Sequence, residues 1–131
     1  MSEEQQDEIG WSIDLAEGWE GHDDTEDTSI FSKPDGVGVL QITAMESDED
    51  ISQEELKTFA GEPPKKAVTE NFRNKDFRGF NVAQQIDGEY RHMWYLAGGR
   101  LALVVSYVCN EEDRSEEVPE VKEMVRSLEL I

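Results

Sequence analysis

Positive charge is scarce in this chain. Only 12 lysines and arginines stand against 31 aspartates and glutamates in 131 residues, giving a net charge of −19. Binding nucleic acid takes clustered cations that neutralise phosphates, so nucleic acid is not an expected partner, and an anionic membrane surface would repel the chain. Cysteine is almost absent: Cys109 stands alone and excludes an internal disulfide, which fits a reducing compartment. No stretch approaches the roughly 18 apolar residues of a membrane-spanning helix. The opening MSEEQQDEIG is acidic, unlike the basic and then apolar pattern of a leader, so a cytoplasmic protein is expected. Histidine is limited to His22 and His92, neither of them near a cysteine or a second histidine at ligand spacing, which argues against zinc. The acidic runs lack the alternating oxygen ligands and glycine of a calcium loop. No metal and no cofactor is expected.

What is abundant is acid, and it comes in runs: Glu3 to Glu8, Glu17 to Asp27, Glu46 to Glu55 and Glu111 to Glu120. Such runs keep a protein soluble and cost stability through self-repulsion, and they can also dock a basic partner. The candidate partner-binding residues are Asp23, Asp24, Glu26 and Asp27 in one run and Glu111, Glu112 and Asp113 in another. One segment has the opposite sign. Lys57 to Arg78 holds six cations against three carboxylates, and Lys65, Lys66, Arg73, Lys75 and Arg78 form a basic island that can clamp an anion or meet an acidic partner.

Residues 1 to 8 carry no hydrophobic anchor and are expected to be disordered, leaving 9 to 131 as one domain. Alternation at Trp11, Ile13 and Leu15 predicts a first strand, Glu17 to Asp27 a loop with Trp19 tucked onto the core, and Thr28 to Lys33 a second strand. Pro34-Asp35-Gly36 then turns into a strand over Val37 to Ala44. Ser52 and Glu55 form a capping box, with Ile51 and Leu56 as a hydrophobic staple, so a helix starts there. Gly61 and Pro63-Pro64 interrupt it, and a second helix is predicted from about Pro64 to Asn74 with Val68 and Phe72 inward.

From Gly79 to Cys109 the chain spells a three-strand meander, with Asp87-Gly88 and Gly98-Gly99 as its two-residue turns. Counting from those turns puts Leu96 opposite Leu101, Trp94 opposite Leu103, His92 opposite Val105 and Tyr90 opposite Tyr107. The reverse side carries Tyr95, Met93, Phe80, Val82 and Ile86. Large apolar residues on both faces imply cover on both. A final helix over Ser115 to Leu128, capped by Ser115 with Pro119 in its first turn, offers Val118, Val121, Val125 and Leu128 as one layer. The expected fold is therefore α+β: an α/β/α sandwich with a central antiparallel sheet of about six strands and helices on both faces.

Three segments resemble the PsbP-like fold superfamily: WSIDLAEGW from Trp11, PDGVGVLQIT from Pro34, and VKEMVRSLEL from Val121. That group includes a lumenal photosystem II extrinsic protein, a Ran-binding nuclear import factor and many small bacterial domains. Ala16 stands where the group usually has proline. No residue set carries over the metal, photosystem or Ran contacts. The resemblance implies a sheet used for protein binding rather than catalysis.

The functional expectation is a small soluble, non-enzymatic bacterial domain that contacts a protein partner through its acidic loops, chemistry that suits a basic partner. Two rivals stand beside it. One is an immunity-type protein that covers a basic toxin, for which strong negative charge would speed capture. The other is a ligand-binding or enzymatic domain with a cleft near His92 and Cys109, which register places on one face.

Overall fold

The computed structural model describes residues 10 to 131, so the tail expected at 1 to 8 lies outside the described residues. Its strands are β1 (Trp11–Ser12), β2 (Glu20–Asp23), β3 (Thr28–Ser32), β4 (Gly38–Glu46), β5 (Val68–Arg73), β6 (Arg78–Ile86), β7 (Glu89–Gly98), β8 (Leu101–Asn110) and β9 (Glu129–Leu130). The helices are α1 (Gln53–Ala60) and α2 (Arg114–Arg126), the latter entered through a 3-10 turn at Glu111–Asp113. Seven strands form one antiparallel sheet in the order β2-β3-β4-β8-β7-β6-β5, while β1 and β9 form a separate two-stranded ribbon.

The expected α/β/α sandwich is not what forms. Among the described residues β structure predominates, and the two helices do not make a layer on each face. On one face Leu40, Ile42, Trp94, Leu96, Leu103, Val105 and Tyr107 meet Val121, Met124, Val125 and Leu128 of the C-terminal segment in the main core. Among the described residues the other face has only the two-turn helix α1, whose Leu56 packs with Phe80, Val82, Ala97 and Ala102 at one end of the sheet. Beyond that patch Val39 is exposed and Met93, Val104 and Val108 are half-buried. Gln41, Ser106 and Arg91 alternate with these side chains, so this face tolerates water without a helical layer.

The second predicted helix is the edge strand β5. Val68 and Phe72 are four residues apart, a spacing that lies on one face at either the helical or the strand period, so the pattern could not separate the two. Asn74 decides it. Its Oδ1 accepts the Asp76 and Phe77 amides at 3.1 and 2.8 Å, closing a turn to β6, and its Nδ2 donates to the carbonyls of Arg126 and Leu128 at 3.0 and 2.9 Å. Likewise Glu20–Asp23, expected as loop, is a strand held by pairing to β3. Only Trp11–Ser12 of the first predicted strand is paired, and its partner is β9.

Both meander turns are present. Asp87 and Gly88 have φ of 52° and 84°, as a type I′ turn requires. The second turn is Gly99-Arg100 rather than Gly98-Gly99, with positive φ at Gly99 alone, the pattern of type II′. Register therefore slips by two: Leu96 faces Leu103, Trp94 faces Val105, His92 faces Tyr107 and Tyr90 faces Cys109. A slip of two keeps every side chain on its predicted face. The capping box is as predicted, with Ser52 Oγ accepting the Glu55 amide at 3.1 Å and Glu55 Oε1 accepting the Ser52 amide at 2.9 Å. Ser115 does not cap α2, which begins one residue earlier, and Pro119 lies within the helix.

Candidate functional site

Topology sorts the charged segments to the rims of the sheet. β2, at one edge, has the sequence EGHD and is exposed throughout. The turn that follows it brings Asp23, Glu26 and Asp27 together with Glu46 at the end of β4 around an open groove of about 720 Å³. Gly10, Trp11, Ala44, Met45 and Leu101 supply the apolar part of its lining. Asp23 is fixed by Ser29, whose Oγ donates to Oδ1 at 2.9 Å, and Asp24 closes the turn through its backbone N–H to the Thr28 carbonyl at 2.8 Å. Glu46 and Trp11 were not among the sequence candidates. Glu46 lies about 20 residues beyond the acidic turn and is brought to it by the pairing of β3 with β4, whereas Trp11 precedes the turn by more than ten residues and comes from the separate β1–β9 ribbon.

The second acidic group does not join the first. Glu111 and Glu112 line a separate hollow with Gly88, Asn110 and Arg114, and Asp113 precedes α2. Register places Thr28 beside Thr43 and Leu101 beside Glu46, whereas Asn110 pairs with Glu89 at the other end of the same strands. The two acidic groups therefore occupy opposite ends of the sheet.

The basic island gathers around β5 at the far edge. Arg73, Lys75 and Arg78 surround the β5–β6 turn, and Lys65 and Lys66 lie exposed in the turn that leads into the strand. Among the described residues none of these five closes an ion pair; the pairs formed are Lys33–Glu120, Arg91–Glu89 and Arg126–Glu123.

Between the edges lies the ladder of Tyr90, His92 and Trp94. His92 is buried, its ring 3.8 Å from the Trp94 ring and parallel to it within 2°. Nε2 lies 2.8 Å from Asn81 Oδ1 and Nδ1 lies 3.0 Å from the Tyr90 hydroxyl, while Asn81 Nδ2 donates to the Glu70 carbonyl. A carbonyl oxygen only accepts, so the proton sits on Nε2 and the Tyr90 O–H donates to Nδ1. Burial, aided by the charge of Lys122, lowers the imidazole pKa to about 4, and the ring is neutral at pH 7. Both nitrogens are engaged and neither is free to act as a base.

Cys109 shares that face but not a cleft with His92. The hollow beside His92, about 150 Å³, is lined by Glu70, Asn71, Phe72, Asn81, Trp94, Lys122 and Arg126. Cys109 is buried opposite Tyr90, and desolvation raises its pKa, which disfavours the reactive thiolate. Among the described residues no three His, Cys, Asp or Glu side chains form a metal-holding group. No helix there is long and apolar enough to cross a membrane.

One buried carboxylate was not legible in the sequence. Glu117 of α2 accepts the Tyr107 hydroxyl at 2.8 Å and the amides of Gly38 and Val37 at 3.1 and 3.0 Å, bolting the helix to the turn before β4. A Cβ at Gly36 would come within 2.6 Å of Glu117 Oε2, so the backbone must be bare there for the carboxylate to reach the amides. The Tyr107 pKa is raised by burial and by its bond to Glu117. Trp19 is buried as expected, its Nε1 donating to Glu120 at 3.2 Å with the Lys33 ammonium 5.8 Å from its ring.

No family model matches this chain, and no curated protein does. Solved structures do. A crystal structure from Bacteroides thetaiotaomicron superposes with a TM-score of 0.64 at 20% identity over 92% of this chain and 45% of that one. The chain thus spans less than half the length of that protein. LpqN of Mycobacterium tuberculosis, described as involved in cell envelope biogenesis, gives 0.52 at 8% identity over 94% of this chain and 84% of that one. At such identities the likeness is one of fold.

Proposed function

We propose that this chain is a non-catalytic protein-binding domain of the bacterial cytoplasm, which meets a basic partner through the acidic groove beside β2. The observation that carries this reading is the convergence of Asp23, Glu26, Asp27 and Glu46 over a floor containing Trp11, Met45 and Leu101. Carboxylates around an apolar floor give long-range attraction together with surface that can be buried in contact, which is how charged interfaces combine rapid capture with retention. The engaged nitrogens of His92 and the protonated Cys109 thiol weigh against chemistry at the centre of the sheet. The resemblance of WSIDLAEGW and PDGVGVLQIT to the PsbP-like group, read as a protein-binding scaffold, points the same way.

The test compares the full chain with a variant carrying Glu26→Lys, Asp27→Lys and Glu46→Lys, each immobilised and exposed to a bacterial lysate at low salt. Retention of a basic protein by the parent but not by the variant, with release as salt rises to about 0.3 M, where the Debye length falls below 8 Å, is the expected result. Identical eluates from the two would end the proposal.

A further inference from the structure

The opposite edge of the sheet has its own geometry. β5 pairs with β6 on one side and, among the described residues, with no strand on the other. The ladder's phase follows from the turn, where the Asn74 amide donates to the Phe77 carbonyl at 2.9 Å. Antiparallel pairs alternate between bonded and non-bonded, so Phe72, Glu70 and Val68 bond inward, while Thr69, Asn71 and Arg73 turn their N–H and C=O groups outward. Those outward groups form a ready template for another strand.

Two grooves flank this edge, one on each face. On the α1 side Thr69, Asn71 and Phe80 with Lys57, Thr58, Gly61, Glu62 and Pro63 line a largely apolar groove of about 580 Å³. On the α2 side lies the smaller hollow of Glu70, Phe72, Lys122 and Arg126. A strand laid along β5 would point successive side chains alternately into the two, which is the geometry of strand addition. Val68 is 60% exposed and would be covered by it. The charge here is opposite to that of the whole chain: Lys65 and Lys66 stand at the start of the strand, and Arg73, Lys75 and Arg78 at its end.

We infer that the β5 edge is a second docking site, which takes an extended acidic segment of another protein as an eighth strand, its main chain bonded to Thr69, Asn71 and Arg73 and its acidic side chains between the cations at either end. This site does not depend on the acidic groove at β2, and the partner it selects has the opposite charge. Cations on an edge strand also serve to block aggregation, and a pure blocking role predicts no complex with any peptide.

The probe is a synthetic nine-residue peptide of alternating Asp or Glu with Val or Leu, titrated into the full chain at low salt beside a control with Lys in place of each acid. Binding at least tenfold tighter for the acidic peptide, with amide shifts centred on Thr69, Asn71 and Arg73, is expected. Asn71→Pro removes an outward N–H without touching the β6 ladder and should weaken binding at least tenfold. Arg73→Glu with Arg78→Glu, both at exposed positions, should weaken it several-fold and keeps the test decisive if the proline variant unfolds. Glu26→Lys with Asp27→Lys should leave binding of this peptide intact, which separates the site from the acidic groove. Equal binding of both peptides, shifts centred elsewhere than β5, or the same shifts produced by raising protein concentration without peptide, which would identify a second copy as the occupant, would each overturn the inference.

Discussion

The two edges of this sheet differ in length, charge and anchoring. β2 has four residues, carries Glu20 and Asp23, and is held by the Phe31 ring lying over Gly21. β5 has six residues, is flanked by cations, and is held by the Asn74 side chain, which ties its turn to the end of α2. A short acidic edge offers little backbone to a neighbour and acts through side chains. The longer edge, lined by grooves, offers backbone. One sheet thus presents two unlike surfaces, and the molecule's charge of −19 describes neither edge alone.

The sharpest way to break the comparison is at the β5 anchor. Asn74→Ala deletes four hydrogen bonds and should cost about 4 kcal/mol, at roughly 1 kcal/mol each. Urea denaturation would measure it, and a loss under 1 kcal/mol would mean that the edge is not held by this turn. The sheet centre supplies a control that belongs to neither edge. His92 has a folded pKa of about 4 against an unfolded value of 6.5, so the unfolded chain takes up its proton first. Its contribution is complete above pH 6.5 and lost as pH falls through 4, about 3 kcal/mol in all. Between those limits the parent should lose that much relative to His92→Gln, and parallel stability curves would contradict the buried neutral imidazole.

At the β2 edge Gly21→Ala sets a methyl against the Phe31 ring, and overpacking should cost about 2 kcal/mol. A thermal melt would show it, and an unchanged melting temperature would mean that Phe31 moves aside. The smallest effect sharpens the contrast in charge. Glu26→Lys with Asp27→Lys relieves self-repulsion and should raise stability by about 0.5 kcal/mol at low salt, with the gain fading at high salt. Arg73→Glu with Arg78→Glu should move stability the other way.

Sequence patterns reached the elements whose information is local. Ser52 and Glu55 specified a helix start, Asp87-Gly88 a turn, and the alternation from Phe80 to Cys109 two faces that survived a register slip of two. They failed where information was ambiguous or distant. Val68 and Phe72 fit helix and strand alike, and Glu20–Asp23 has no pattern of its own. Apolar residues on both faces suggested cover on both, yet the polar side chains between them let one face stay largely open. At the candidate site the acidic turn was visible, but Glu46 and Trp11 were not, because strand pairing brings Glu46 there and the packing of the separate β1–β9 ribbon brings Trp11. Glu117 gave no signal at all: its three partners lie 10 to 80 residues away.

The amino-acid order alone determined turn chemistry, which side of each meander strand is apolar, and the sign of charge carried by each segment, since all of these depend on neighbours a few residues apart. Only the assembled fold decided which strands became edges, that the two acidic groups sit at opposite ends, and that the strand within the basic island is one of those edges. Those outcomes depend on pairings between residues far apart in the chain, where the gain from hydrogen bonds and burial is set by the partner rather than by the segment itself.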